Sequence, residues 1–293
     1  MFARESVGRP SPSEMHLALQ SAIYGVMTVQ QRNHVRVRGD GERTMVFAHG
    51  FGCDQNMWHK LAPAYESRYR VVLFDHVGGG SSDLTAYDPV KYGTLDGYAE
   101  DVLQIVKELG RGQAIFVGHS VSAMIGMLAN LREPEPFAAQ IMVGPSPRYI
   151  DDGDYVGGFT QADIDDLLDT LDGNYLGWSA NIAPVIMGAP DQPELAVELT
   201  NSFCRTDPEI AKRFARVTFL TDVRAEAAQL RAPTLILQSD EDLIAPVTVG
   251  QYLHGVIPNS TLTMIENVGH CPHLSAPDAT RAGIDAFLAA RGL

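Results

Sequence analysis

Three side chains of the kinds needed for nucleophilic catalysis lie far apart in the chain, each just after an apolar, strand-like run. Ser120 sits in Gly118-His119-Ser120-Val121-Ser122, behind Ala114-Ile115-Phe116-Val117 and ahead of a helix-compatible segment. A serine at a sharp strand-to-helix turn has its hydroxyl lifted above the sheet, beside a backbone N–H able to bind an oxyanion. The last position of such a turn is normally glycine, and here it is Ser122. A serine hydroxyl is a weak nucleophile at neutral pH and needs a base. His270, in Asn267-Val268-Gly269-His270 near the C-terminus, is the candidate. A carboxylate must then hold the imidazole in one tautomer and stabilise its charged form. The run Thr234-Leu235-Ile236-Leu237-Gln238 leads to Ser239-Asp240-Glu241-Asp242, and spacing does not choose among Asp240, Glu241 and Asp242.

An oxyanion also needs donors. His49-Gly50-Phe51-Gly52 follows the apolar Met45-Val46-Phe47-Ala48. The backbone N–H groups of Phe51 and Val121 are the expected pair, which makes side-chain identity there secondary. Losing one such donor typically costs about 2.7–4 kcal/mol of barrier.

Other motifs carry less. Asp75-His76-Val77-Gly78-Gly79-Gly80-Ser81-Ser82 is glycine-rich but lacks the Lys-Ser/Thr end of a phosphate loop, so it is read as a tight strand-to-helix turn. His270-Cys271-Pro272-His273 comes with neither a His-Glu-x-x-His helix nor a paired Cys-x-x-Cys, so no metal site is expected. Nor is a cofactor. His119 is read as a packed or hydrogen-bonded neighbour of the nucleophile rather than a second base.

These residues need elements to bring them together. His34-Val35-Arg36-Val37-Arg38 alternates, Gly39-Asp40-Gly41 turns, and Thr44 to Phe47 continues, which predicts an antiparallel hairpin. Short apolar runs at 70–74, 114–117 and 139–143 suit parallel strands covered on both faces. Val102, Ile105, Val106 and Leu109 share one helical face, and Gly110 stops that helix. Strands alternating with helices predict an α/β fold with a mostly parallel central sheet flanked by helices. From 151 to 222 the strand rhythm ceases. Ile164, Leu167, Leu168 and Leu171 form an apolar stripe opposite Asp163, Asp165, Asp166 and Asp169, and three more helical segments follow. The expected organisation is an N-terminal extension (1–27), a first core part (28–150), an all-helical lid insertion (151–222) and a second core part (223–293). Within the lid, Phe159, Trp178, Ile182 and Phe219 either line a substrate pocket or hold the helices together.

The chain has 293 residues, 45% of them hydrophobic, enough for a sizeable core. Its formal net charge of −14, with no Lys/Arg-rich run, argues against nucleic acid and anionic membrane surfaces as partners. Three sparse cysteines, Cys53, Cys204 and Cys271, suit a reducing cytoplasm rather than a disulfide framework. The first 27 residues lack the clean apolar centre of a signal peptide, and no stretch reaches transmembrane length.

Several blocks resemble the RsbQ-like α/β-hydrolases, which include a bacterial stress-response regulator and plant karrikin and strigolactone receptors. They are His49-Gly50-Phe51-Gly52-Cys53-Asp54-Gln55, Gly118-His119-Ser120-Val121-Ser122-Ala123-Met124-Ile125-Gly126 and Gly144-Pro145-Ser146-Pro147-Arg148-Tyr149, with Gly157-Gly158-Phe159, Asn174-Tyr175-x-x-Trp178 and Gly269-His270-Cys271-Pro272-His273-Leu274. The order serine, acid, histidine is the one α/β-hydrolases use. That family also accepts serine at the place of Ser122. The resemblance implies Asp242 as the acid and a four-helix cap over a hydrophobic pocket. It further implies slow hydrolysis of small apolar esters or butenolide-type lactones, or ligand sensing through a signalling protein partner.

Overall fold

The structure, a computed structural model, describes residues 27–293. All of the expected N-terminal extension except Met27 lies outside the described residues. Seven strands form one sheet: β1 (Arg36–Arg38), β2 (Thr44–Ala48), β3 (Arg70–Phe74), β4 (Ala114–His119), β5 (Phe137–Val143), β6 (Thr234–Glu241) and β7 (Ser260–Val268). Their order is β1-β3-β2-β4-β5-β6-β7. Only β1 runs antiparallel to its neighbour; the other pairs are parallel. The chain thus has the expected α/β architecture. Both β2 and β4 are buried from end to end, which is why they read as unbroken apolar runs instead of alternating ones.

The expected hairpin does not form. β3 lies between β1 and β2, and β1 pairs with β3. Buried β2 takes parallel partners on both edges, β3 and β4, leaving none for β1. The glycines between β1 and β2 serve a close crossing of two backbones rather than a two-strand turn. A Cβ on Gly39 would stand 2.3 Å from the Glu66 carbonyl oxygen, and one on Gly41 2.5 Å from the Tyr69 Cα.

The longer helices are α1 (Leu95–Leu109), α2 (Val121–Arg132), α3 (Gln161–Gly173), α4 (Tyr175–Met187), α5 (Pro193–Phe203), α6 (Pro208–Phe219), α7 (Val247–Val256) and α8 (Pro277–Arg291). α1 buries Val102, Ile105, Val106 and Leu109, and the Gly110 N–H closes it on the Val106 carbonyl. The glycine-rich stretch after β3 is not a direct turn into α1; two short 3-10 turns intervene. Asp75 holds that stretch, accepting from the N–H groups of Gln55 and Ser81 at 2.8 and 2.9 Å.

Alternate strand residues feed opposite faces of the sheet. Phe47, Val117, Ile141 and Leu237 pack with Trp58, Leu288 and residues of α3 to α6. Val46, Phe116, Met142 and Ile236 pack with α1, α2 and α7. Between β5 and β6 the chain is mainly the four helices α3 to α6. Thr160 caps α3 in a reciprocal box with Asp163, Asn174 caps α4, and Asp207 with Pro208 starts α6. Among the described residues no helix is long and apolar enough to cross a membrane.

Candidate active site

Parallel strands deliver all their C-terminal ends to one edge of the sheet, where α/β folds place their sites. The loops after β2, β4, β5, β6 and β7 meet there and bring Phe51, Ser120, Tyr149, Asp242 and His270 to one place. Ser120 lies between β4 and α2 at φ 56°, ψ −125°. A residue with a side chain rarely adopts that backbone conformation, and it persists because the strand and helix on either side over-determine it. The Ser120 N–H donates to the Val143 carbonyl at 2.8 Å, tying the turn to β5.

Ser120 Oγ lies 2.8 Å from His270 Nε2, and His270 Nδ1 lies 2.7 Å from Asp242 Oδ2. A carboxylate only accepts, so Nδ1 carries the proton and the bare Nε2 faces the serine hydroxyl. The other Asp242 oxygen accepts from the N–H groups of Ile244 and Ala245 at 2.8 and 3.0 Å. Burial alone would raise this carboxyl; the positive potential and hydrogen bond of His270, with the two N–H groups, outweigh it and hold it below the usual carboxylate range. Asp240 and Glu241 are exposed, so of the three acids left open by spacing only Asp242 reaches the imidazole.

Val121 is the first residue of α2, where a backbone N–H has no acceptor within the helix. Phe51 follows β2 in a turn. Its side chain is not incidental. The ring packs against Trp178 on α4, Phe203 on α5, and Phe214 and Phe219 on α6, with centroids 5.8–6.2 Å apart. Phe51 therefore joins the loop after β2 to three of the four helices above it.

Those helices roof a small cavity of about 80 Å³ over Ser120 and His270. Phe159, Trp178, Ile182 and Phe219 all line it, together with Leu167, Ile186, Leu199 and Ile244. Tyr149 and Thr218 also line it, and neither is among the pocket residues expected from the sequence. Tyr149 Oη is 3.3 Å from Ser120 Oγ. Burial pushes the phenol up to about 12, so it remains a donor to the serine oxygen. Its signals are its place at the end of the Gly144–Tyr149 block and a few residues after β5, at the edge where the other loops converge.

His119 donates from Nε2 to the His270 carbonyl at 2.9 Å and packs its ring, tilted, 4.9 Å from that of His270. Burial, then the neighbouring His270, pushes it down to about 3, which keeps it neutral. His119, Cys271 and His273 bring possible metal-ligand atoms within 4.8 Å of one another. The His119 nitrogen nearest the Cys271 sulfur already gives its proton to the His270 carbonyl, and the His273 ring packs, tilted, between those of His119 and Trp58. The cluster packs behind the imidazole.

Comparison with known proteins adds relationship to geometry. A family model described as alpha/beta hydrolase fold matches residues 43–277. The chain is 39% identical over 252 residues to the karrikin insensitive 2 receptor CA of Petunia hybrida, covering 85% of this chain and 93% of that protein. It is 40% identical over 245 residues to a strigolactone esterase of Arabidopsis thaliana, covering 83% and 91%. Among solved structures, a hydrolase from Oleispira antarctica superposes with a TM-score of 0.86 at 41% identity, over 89% of this chain and 96% of that one.

Proposed function

The chain belongs to the alpha/beta hydrolase family, and from that premise we propose that it is a serine hydrolase of small apolar esters or butenolide-type lactones. The observation that carries this is the unbroken hydrogen-bonded line from Ser120 through His270 to Asp242 beneath an apolar cavity. In the proposed reaction Ser120 Oγ attacks the carbonyl carbon while His270 Nε2 takes its proton. The N–H groups of Phe51 and Val121 receive the oxyanion. His270 then returns the proton to the leaving alkoxide, leaving an acyl group on Ser120. A lactone gives the same acyl-enzyme with its leaving hydroxyl still tethered. Water, deprotonated by His270, attacks the acyl carbon; the Ser120 Oγ–acyl bond breaks, Oγ takes the proton back from His270 and the acid leaves. No step calls for a metal or an organic cofactor.

In this reading residues 151–222 act as a lid, and Phe159, Trp178, Ile182 and Phe219 hold the apolar part of the ligand. Three free cysteines, two of them buried, support a cytoplasmic setting.

A second reading shares the site: a ligand sensor whose slow hydrolysis is coupled to binding a signalling protein. Two observations favour it. One relative bears the name of a receptor, and the backbone of His270 is hydrogen-bonded to helix α4 of the roof. Turnover separates the readings. With a panel of 4-nitrophenyl esters and butenolides, many product equivalents per protein support the enzyme. A single equivalent with retained acid supports the sensor. Full activity in Ser120→Ala removes both.

A further inference from the structure

Ser122 stands where a strand–nucleophile–helix turn normally has glycine, and its hydroxyl is fully buried. Counting protons around it fixes the direction of every bond. The Ser122 O–H donates to the His49 carbonyl in a short contact. Its single proton is thereby spent, so the contact at 2.7 Å to His76 Nε2 must be a donation from His76 to the serine oxygen. Burial, then the nearby His49, pushes His76 well below its usual value, so it stays a neutral donor. His49 Nε2 accepts the His76 backbone N–H at 3.0 Å. Its proton therefore lies on Nδ1, which donates to the Gly50 carbonyl at 2.9 Å.

Gly50 supplies the carbonyl of the same peptide unit whose N–H belongs to Phe51. A trans peptide is planar with C=O and N–H opposed, so fixing the carbonyl aims the N–H. The Cys53 N–H adds a second bond to that carbonyl at 3.2 Å. The preceding peptide, His49–Gly50, is held by Ser122. Both planes leading to Phe51 are thus pinned, and one pin stands on α2, one residue after Val121.

We infer that Ser122, acting with His76 and His49, is a positioning residue that locks the Phe51 N–H into register with the Val121 N–H as the two donors of one oxyanion hole. A glycine there would leave the His49 carbonyl and the His76 Nε2–H, both buried, without partners. Oxyanion donors matter only where negative charge develops, so a misaimed donor slows formation and breakdown of the tetrahedral species and leaves ground-state binding alone.

This inference rests on the serine-hydrolase reading, and the test keeps the two apart. Ser122→Ala and Ser122→Gly are compared with wild type and Ser120→Ala on 4-nitrophenyl acetate and in phosphylation by diethyl 4-nitrophenyl phosphate. In Ser122→Ala, acylation and deacylation should both fall by about 10- to 100-fold, less than the roughly 10²–10³ lost with a whole donor. KM should not move, because both steps slow together, and phosphylation should slow by the same factor. The glycine variant should match the alanine one. A Ser122→Ala protein within twofold of wild type, or one that changes only in KM or melting temperature, overturns the inference while leaving the nucleophile assignment intact. Activity surviving in Ser120→Ala overturns both.

Discussion

The backbone N–H of His270 donates to the carbonyl of Ile186 at 2.7 Å. Ile186 sits in the last turn of α4, and its side chain lines the cavity. One residue therefore touches the ligand space with its side chain and holds the proposed base with its backbone. A ligand that displaces α4 must strain or release the imidazole, which gives the sensing reading a physical route: differential affinity for two roof positions.

That contact can be disturbed without touching the cavity. Gly188 ends α4 at φ 60°, and a Cβ there would fall 2.7 Å from the Gly269 backbone. Gly188→Ala should push the end of α4 away from the His270 loop. A misplacement of about 1 Å can cost around 100-fold in rate, so kcat on an activated ester should fall by about that much. Unchanged kcat in a folded Gly188→Ala protein would show that α4 does not hold the base.

The proposed acid is the carboxylate in contact with His270. Asp242→Asn should leave the fold intact and lower kcat by about 10⁴-fold, since an amide favours the wrong imidazole tautomer. Asp240→Asn and Glu241→Gln, both at exposed positions, should leave kcat unchanged. A large loss in either of those, with Asp242→Asn active, would move the assignment.

Acid should destabilise the protein well above the carboxylate range. Burial pushes His119 down to about 3, and His76 and His273 well below their usual value. In the unfolded chain each takes up a proton near pH 6.5. Below that pH the unfolded state binds more protons, so stability rises with pH and is lost as pH falls from 6.5 toward the folded values. Each histidine contributes about 1.4 kcal/mol per pH unit at full slope, or about 4 for three. Asp242 has the same sign but acts below the usual carboxylate range. Denaturant unfolding at several pH values between 7.5 and 5 measures the slope, and His273→Gln should flatten it by about a third. A flat profile would mean these rings are protonated in the fold.

Thr218 lines the cavity from α6, and its buried hydroxyl has no hydrogen-bond partner among the described residues. Thr170, Thr200 and Thr280 each bond back to the carbonyl four residues earlier. Thr218→Val removes an unsatisfied hydroxyl and should stabilise the protein by about 1 kcal/mol, read by denaturant titration. A destabilised variant would show that the hydroxyl has a partner in solution.

Much of this was legible in the residues themselves. Helical periodicity marked α1, an unbroken apolar run marked the burial of β4, and chain order brought Ser120 and His270 to one edge. Other features depended on distant packing. β1 pairs with β3 because buried β2 needs parallel neighbours on both sides, a demand invisible in the alternation of Arg36 to Arg38. Spacing did not separate Asp242 from Asp240 and Glu241, since what distinguishes it is burial, its contact with the His270 imidazole and the Ile244 and Ala245 N–H groups. Only the Phe51 backbone enters the chemistry, which makes its side chain look secondary in the sequence, yet four roof rings meet it. Tyr149 and Thr218 belong to segments whose pattern reports a loop and a helix, with no trace of what lies across the cavity.

The central claim is that Ser120 Oγ attacks a carbonyl with His270 as base. Intact-protein mass spectrometry after a brief incubation with 4-nitrophenyl esters and butenolides tests it most directly. The account predicts an added mass equal to the acyl group, formed in wild type and absent in Ser120→Ala and His270→Ala. An adduct of the same mass and rate in the Ser120→Ala protein would contradict it.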